Sequence, residues 1–350
     1  MTRSRLSPDP DPSPDPTRVA LGRGAEFDLI RTFLDAARPA PGAPPSENVR
    51  IGAGDDCAIV RGEGIAVSVD MAVEGVHFRR DWLGPEEIGY RSVAAALSDL
   101  AAVAATPVGV FIALAATASD RDQFAVRVME GAQAAAAGAR ATLLGGDVTR
   151  SPGPLVLDAI VLGNVLRPVL RRGASPGDSL WVTGELGAAA AAVRAWQAGG
   201  SPDPAARLAY ALPAPRIAEA RWLAERRALN ALIDISDGLA GDAGHIAAAS
   251  DVRIILDAAS IPIHPVVQAA ETSREDALRV ALSGGDDYEL CFAAPAGVID
   301  QLSEAFSGTF ELALTRVGSV HSGSGVFLRD FGGRVNELAY GGFDHFGEVP

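Results

Sequence analysis

The stretch "ALIDISDGLAGDAGHIAAASDVRIILDA", residues 231–258, changes its hydrophobic period twice. "ALIDI" is a short apolar run of strand length, "SDG" has turn chemistry, "LAGDAGHIAAAS" is Ala-rich and helix-like, and "VRIILDA" returns to a strand. Strand, tight turn, helix and strand in succession are the mark of an α/β or α+β domain. The alternation continues on both sides. Upstream lie a strand "SLWVTG", a helix "LGAAAAAVRAWQ", a Pro-broken loop and a helical "PRIAEARWLAER". Downstream, two short helices lead to "GGDDYELCFAA" and a glycine-rich C-terminal end.

The first half reads the same way. Helical spacing over 25–38 is followed by a Pro/Gly loop, a strand "IAVSVDM" (65–71) and a long helix from Pro85 to about Val103. Then come a strand over 108–115, a helix to about Gly138, and strands "ATLLGGD" and "PLVLDAIVLGNV" (154–165). Residues 1–20 alternate Pro with Asp or Ser and cannot sustain a backbone hydrogen-bond ladder, so they read as a disordered tail. The turn-rich "RPVLRRGASPGD" (167–178) divides an N-terminal domain, 21–166, from a C-terminal one, 167–350. A chain of 350 residues exceeds the usual single-domain size, which agrees with two domains.

Composition excludes several chemistries. The net charge of −14 argues against nucleic-acid binding, which needs a basic stripe. Lysine is absent altogether, so a Walker A lysine, a protein-kinase strand lysine and a Schiff base are all impossible. Any phosphate must be neutralised by cations, arginine or backbone N–H groups. No apolar run of membrane-spanning length lacks a charge or turn signal, and the N-terminus lacks the order of a signal peptide, so a cytoplasmic location without membrane contact is expected. Cys57 and Cys291 lie far apart in apolar surroundings and read as buried free thiols.

Carboxylates recur at strand ends and in glycine turns: Asp55 and Asp56, Asp70, Asp99, Asp147, Asp234, Asp237, Asp286 and Asp287. Adjacent like charges repel unless a cation or a proton lies between them. Hard oxygen ligands without His or Cys suit Mg²⁺ rather than zinc. Individually each has a structural alternative: Ser236 or Asp237 could cap the helix from Leu239, and Asp70 could mark only a strand end. Asp99 is harder to explain structurally, since an acid near a helix C-terminus opposes the dipole. Together they point to a metal-dependent phosphate site. Arg171 and Arg172 either clamp a phosphate or form a solvated loop, and His77 beside Phe78 is either a substrate contact or a packed side chain.

Read in order, "IGAGDDCAIV", "VSVDMAVEGVHF", "ALSDLAAVAATP", "LLGGDVTRSPG", "LIDISDGLAGDAGHIAAAS", "ALSGGDDYELCF" and "GGFDHF" resemble the thiamine-monophosphate kinase family, within the superfamily of aminoimidazole ribonucleotide and selenophosphate synthetases. The resemblance implies two α/β (α+β) domains: an N-terminal mixed-sheet domain that binds ATP and Mg²⁺ and pairs in a homodimer, and a C-terminal α/β domain that closes over the site. It implies γ-phosphoryl transfer from ATP to thiamine monophosphate, with several Mg²⁺ ions and no catalytic general base. Asp56, Ser68, Val69 through its carbonyl, Asp70, Asp99, Asp147, Asp234 and Asp237 resemble the metal ligands. Gly146, Asp147, Arg171 and Ser236 resemble the ATP contacts, and His77, Asp286 and Phe343 the substrate contacts. Asp286 stands where the family commonly has Glu, one methylene longer. The alternatives are another ATP-dependent enzyme of the superfamily or a non-catalytic nucleotide sensor.

Overall fold

The computed structural model describes residues 49–51, 58–60, 62, 64–120 and 123–338. Asp56, Cys57 and Phe343, the helical reading of 25–38 and the Pro-rich tail lie outside the described residues. The first half forms β1 (Val49–Ile51), β2 (Ala58–Val60), β3 (Ile65–Val73), β4 (Thr106–Ala116), β5 (Thr142–Arg150) and β6 (Val156–Asn164). They make one sheet in the order β1-β2-β3-β6-β4-β5, antiparallel except for β4 beside β5. Two helices, α1 (Pro85–Ala102) and α2 (Gln123–Gly138), belong to this half.

α1 starts where the chain chemistry allows it. Pro85 occupies the first turn, where a missing N–H costs nothing, and Glu87 reaches back so that Oε2 accepts the Gly84 N–H at 2.8 Å. Glu86 and Glu87 place negative charge at the positive end of the dipole. The helix buries Val93, Leu97 and Leu100 with Val110 and Ile112 of β4 and Val161 of β6.

The second half contains β7 (Ser179–Thr183), α3 (Ala188–Gln197), α4 (Pro204–Ala211), α5 (Ile217–Glu225), β8 (Ala231–Asp234), α6 (Leu239–Ser250) and β9 (Val252–Asp257). It continues through α7 (Pro265–Ala270), α8 (Arg274–Ser283), β10 (Leu290–Ala294), α9 (Val298–Phe310), β11 (Leu314–Ser322), β12 (Gly325–Arg329) and β13 (Val335–Glu337). The strands form a second mixed sheet, β13-β12-β9-β11-β7-β10-β8, with β12 parallel to β9. Its core joins that of the first half, because one continuous cluster contains Leu97 and Leu100 of α1 together with Leu232, Phe292 and Phe306.

Two segments differ from the sequence reading. The Pro-broken loop contains α4, since Pro204 sits in the first turn rather than in a helix interior and the Asp203 carboxylate accepts the Ala205 N–H at 2.8 Å. The glycine-rich C-terminal end contains α9 and three strands. Phe306 and Phe310 of α9 pack edge-on to Trp222 of α5, which holds the helix in place.

α1 and α2 cross with their backbones in contact. A Cβ on Gly131 would lie 1.8 Å from the Glu86 carbonyl oxygen, and one on Gly89 1.8 Å from that of Val128. Gly131→Ala therefore forces the helices apart, and a loss of at least about 1–3 kcal/mol is expected, read as a lowered Tm in thermal unfolding. Gly138→Ala, where the added methyl meets nothing within 4 Å, is the control and leaves Tm near the wild-type value.

Candidate active site

A cleft of about 830 Å³ opens between the two halves. From the first half it takes Asp70 of β3, His77 in the following loop, and Arg91, Ala95 and Asp99 of α1. These three α1 residues are spaced by four, so they share one stripe along the helix. From the second half come Asp234 at the end of β8, Ser236 and Asp237 in the turn before α6, and Asp286 and Tyr288 in the segment before β10.

Hydroxyl groups hold the carboxylates in place. Ser68 Oγ donates to Asp99 Oδ2, and Ser98 Oγ donates across the two halves to buried Asp234 Oδ2 at 2.6 Å. Burial pushes the Asp70 carboxyl above its ordinary range; Arg91 opposes this, while Asp286 and Asp158 reinforce it. Neither Ser236 nor Asp237 caps α6: the N-cap is Gly238, and the Ser236 and Asp237 N–H groups both donate to Asp242 Oδ2 at 3.1 Å. Asp242 is itself pushed well up, first by burial and then by Asp237 and Asp234, with Arg171 acting in the opposite sense. Ligand atoms of Asp237, Asp242 and His245 lie within 4.8 Å of one another. Sequence reasoning passed over Asp242 and His245, although their spacing of three on α6 puts them on one helix face.

The segment 285–288 is folded back on the turn before α6. Asp286 N–H donates to the Ser236 carbonyl at 2.8 Å and Tyr288 N–H to that of Ile235 at 2.8 Å. Gly285, Asp286 and Tyr288 all have left-handed backbones, with φ of 67°, 61° and 51°. Asp tolerates this conformation but Tyr does not readily, so the strain is held by these cross-links.

At the other end of the cleft, the Val73 N–H donates to His77 Nδ1 at 3.1 Å. Nδ1 is therefore an acceptor, and Nε2 carries the N–H. Tyr210 of α4 donates its hydroxyl to the His77 carbonyl at 2.8 Å. Trp82 stacks on Trp196 of α3 with centroids 5.0 Å apart, and Tyr210 meets both rings edge-on. None of these aromatic residues was singled out from sequence, because the contacts bring together three separate segments.

Of the remaining expected residues in the described part of the chain, Val69 lines the cleft and Gly146, Asp147 and Arg171 do not. Gly146 and Asp147 are exposed on edge strand β5, three strand spacings or about 14 Å across the sheet from β3. Arg171 lies in the connection between β6 and β7, where its carbonyl accepts Ser250 Oγ at 3.2 Å. The Val69 side chain is exposed at the cleft edge. Cys291 is a buried free thiol whose ionisation burial pushes upward. Among the described residues, no helix is long and apolar enough to cross a membrane.

The two mixed-sheet halves correspond to the two domains of the AIR synthase related proteins. The N-terminal domain of that family matches residues 54–165 and its C-terminal domain residues 175–330. Thiamine-monophosphate kinase from Escherichia coli (strain K12) is 34% identical over 92% of this chain and 98% of its own length. The crystal structure of the thiamine-monophosphate kinase from Stenotrophomonas maltophilia K279a is 35% identical, covers 88% of this chain and 97% of its own, and superposes with a TM-score of 0.71. AaThiL complexed with AMPPCP and TMP is 27% identical, covers 92% and 97%, and has a TM-score of 0.76. The chain belongs to the thiamine-monophosphate kinase family.

The His77 loop is anchored by a clamp. Arg80 binds Asp120 through two bonds of 2.6 and 2.9 Å and Glu74 through one of 2.9 Å. Arg80 holds the Asp120 carboxyl down at about 2, below its ordinary 3.8. The stabilisation is thus complete above about pH 4 and fades as pH falls toward 2. Asp120→Asn is expected to cost about 1–3 kcal/mol at pH 7. In a Tm series against pH, the gap to wild type narrows below pH 4.

Proposed function

We propose that the protein transfers the γ-phosphoryl group of ATP to thiamine monophosphate, giving thiamine diphosphate and ADP. The observation that carries this reading is the convergence of Asp70, Asp99, Asp234 and Asp237, from both halves, on one cleft that also holds His77 and Asp286. A phosphate oxygen of the acceptor bonds to the γ-phosphorus while the bond to the β-phosphate oxygen breaks, and that oxygen leaves on ADP. The acceptor oxygen is already ionised, so no general base is assigned.

The donor set fits Mg²⁺: the crowded groups are carboxylates, and Ser68 and Ser98 supply hydroxyls rather than positive charge. Asp56, Ser68, the Val69 carbonyl, Asp70, Asp99, Asp147, Asp234 and Asp237 are the proposed ligands. When bound, Mg²⁺ would neutralise phosphate charge that, in a chain without lysine, only arginine and backbone N–H groups could otherwise offset. Gly146, Asp147, Arg171 and Ser236 are proposed for ATP, and His77, Asp286 and Phe343 for thiamine monophosphate, with Nε2 as the N–H donor of His77.

The domain division proposed is 21–166 and 167–350, with ATP and Mg²⁺ bound chiefly by the first. A homodimer is proposed through the open face of the first sheet. Val69, Ile160 and Phe111 stand in one row across it, and Val69, Met71 and Phe111 are exposed. A cytoplasmic location goes with ATP as co-substrate.

The test follows thiamine diphosphate directly after mixing protein, Mg²⁺ and ATP with thiamine monophosphate, with free thiamine as control. Product from the monophosphate alone is expected; ATP binding without product overturns the reading in favour of a sensor. Asp99→Asn is expected to lower kcat by about a hundredfold or more at saturating Mg²⁺, and a near-normal rate contradicts the ligand role.

A further inference from the structure

The cleft holds a buried cation, Arg91 of α1. Arg91 is 7% exposed in its side chain, and its Nη2 meets Asp286 Oδ1 at 2.6 Å. Its Nη1 donates to the Tyr210 carbonyl at 2.8 Å, and the guanidinium lies 3.9 Å from the centre of the Tyr210 ring. Tyr210 is held by Trp82 and Trp196 and in turn bonds the His77 carbonyl. One guanidinium therefore reaches both proposed substrate contacts, Asp286 directly and His77 through Tyr210.

Asp286 needs such a partner. Its left-handed backbone and short side chain leave the direction of its carboxylate to whatever grips it. Both contacts, from Arg91 and from the Tyr288 hydroxyl at 3.0 Å, fall on Oδ1, and among the described residues Oδ2 accepts no hydrogen bond. A fork anchored at both ends fixes a carboxylate in a way that a mobile ammonium cannot.

We infer that Arg91 is a positioning residue for substrate selection: it aims Asp286 Oδ2 at the amino-bearing heterocyclic end of the acceptor and sets the His77 loop at a matching distance. This rests on the proposed function. Arg91 then governs acceptor binding more than nucleotide binding, because its direct contacts run to Asp286 and Tyr210 and it reaches the proposed metal ligand Asp70 only through its charge.

The test measures KM for thiamine monophosphate and for ATP separately in wild type, Arg91→Met, Arg91→Lys and Tyr288→Phe. Arg91→Met is expected to raise KM for thiamine monophosphate by about tenfold or more, with KM for ATP within about twofold. Arg91→Lys recovers part of the loss, since the charge returns without the fork. Tyr288→Phe, which retains the packing if Arg91→Met does not fold, raises the same KM by about threefold. Unchanged acceptor KM in the folded variants, or a parallel rise for ATP, overturns the inference. Wild type that turns over only the monophosphate while the variants match it sinks the Arg91 role alone; wild type without turnover sinks the proposed function and this inference with it.

Discussion

The Ser98 hydroxyl, on a helix of the first half, donates to Asp234 of the second at 2.6 Å, and both groups are buried. Around that contact, α1 presents Arg91, Ala95 and Asp99 to the cleft while its opposite side packs on the first sheet. α1 also packs on α5 and β8 of the second half. The helix thus acts as a seam, and the direction of each carboxylate in the cleft follows from its placement. The Ser98 hydroxyl that holds Asp234 brings no positive charge of its own to the cleft.

That arrangement is costly for the apo fold. Asp70 and Asp242 are pushed toward their protonated forms by burial, and Tyr288 holds a left-handed backbone. Strain and crowded like charges persist only where surrounding structure over-determines them. Here the cross-links between segments 235–237 and 285–288, together with the shared core, do so. The cleft therefore gains most from ligands that bring positive charge, and metal or metal-nucleotide binding is expected to stabilise the folded chain.

Much of this was legible in the sequence. The strand-turn-helix period over 231–258 gave β8, α6 and β9, and the recurrence of acids near the ends of apolar runs drew attention to Asp70 and Asp234, which both line the cleft although β3 runs on past Asp70 to Val73. Legibility failed where a local rule had two readings. Pro204 was read as a breaker, yet at the start of α4 it is a helix former. The C-terminal segment was read by its glycines, while Ile299, Phe306 and Phe310 carried the helical signal of α9. It failed also where function depends on pairs far apart in sequence, such as Arg91 with Tyr210 or Ser98 with Asp234. Arg91 could have been found from its spacing of eight from Asp99 in an otherwise Ala-rich helix, which places both on one stripe.

The central claim is that carboxylates from both halves make one cation-dependent site. The most direct measurement counts bound Mn²⁺ by electron paramagnetic resonance as the ion is titrated into the protein with a non-hydrolysable ATP analogue, for wild type and for Asp234→Asn. The account predicts that wild type binds more ions than the nucleotide alone carries and that the substitution in the second half removes part of that excess. A wild type that binds no ion beyond the nucleotide's own, or a count unaffected by Asp234→Asn, contradicts it.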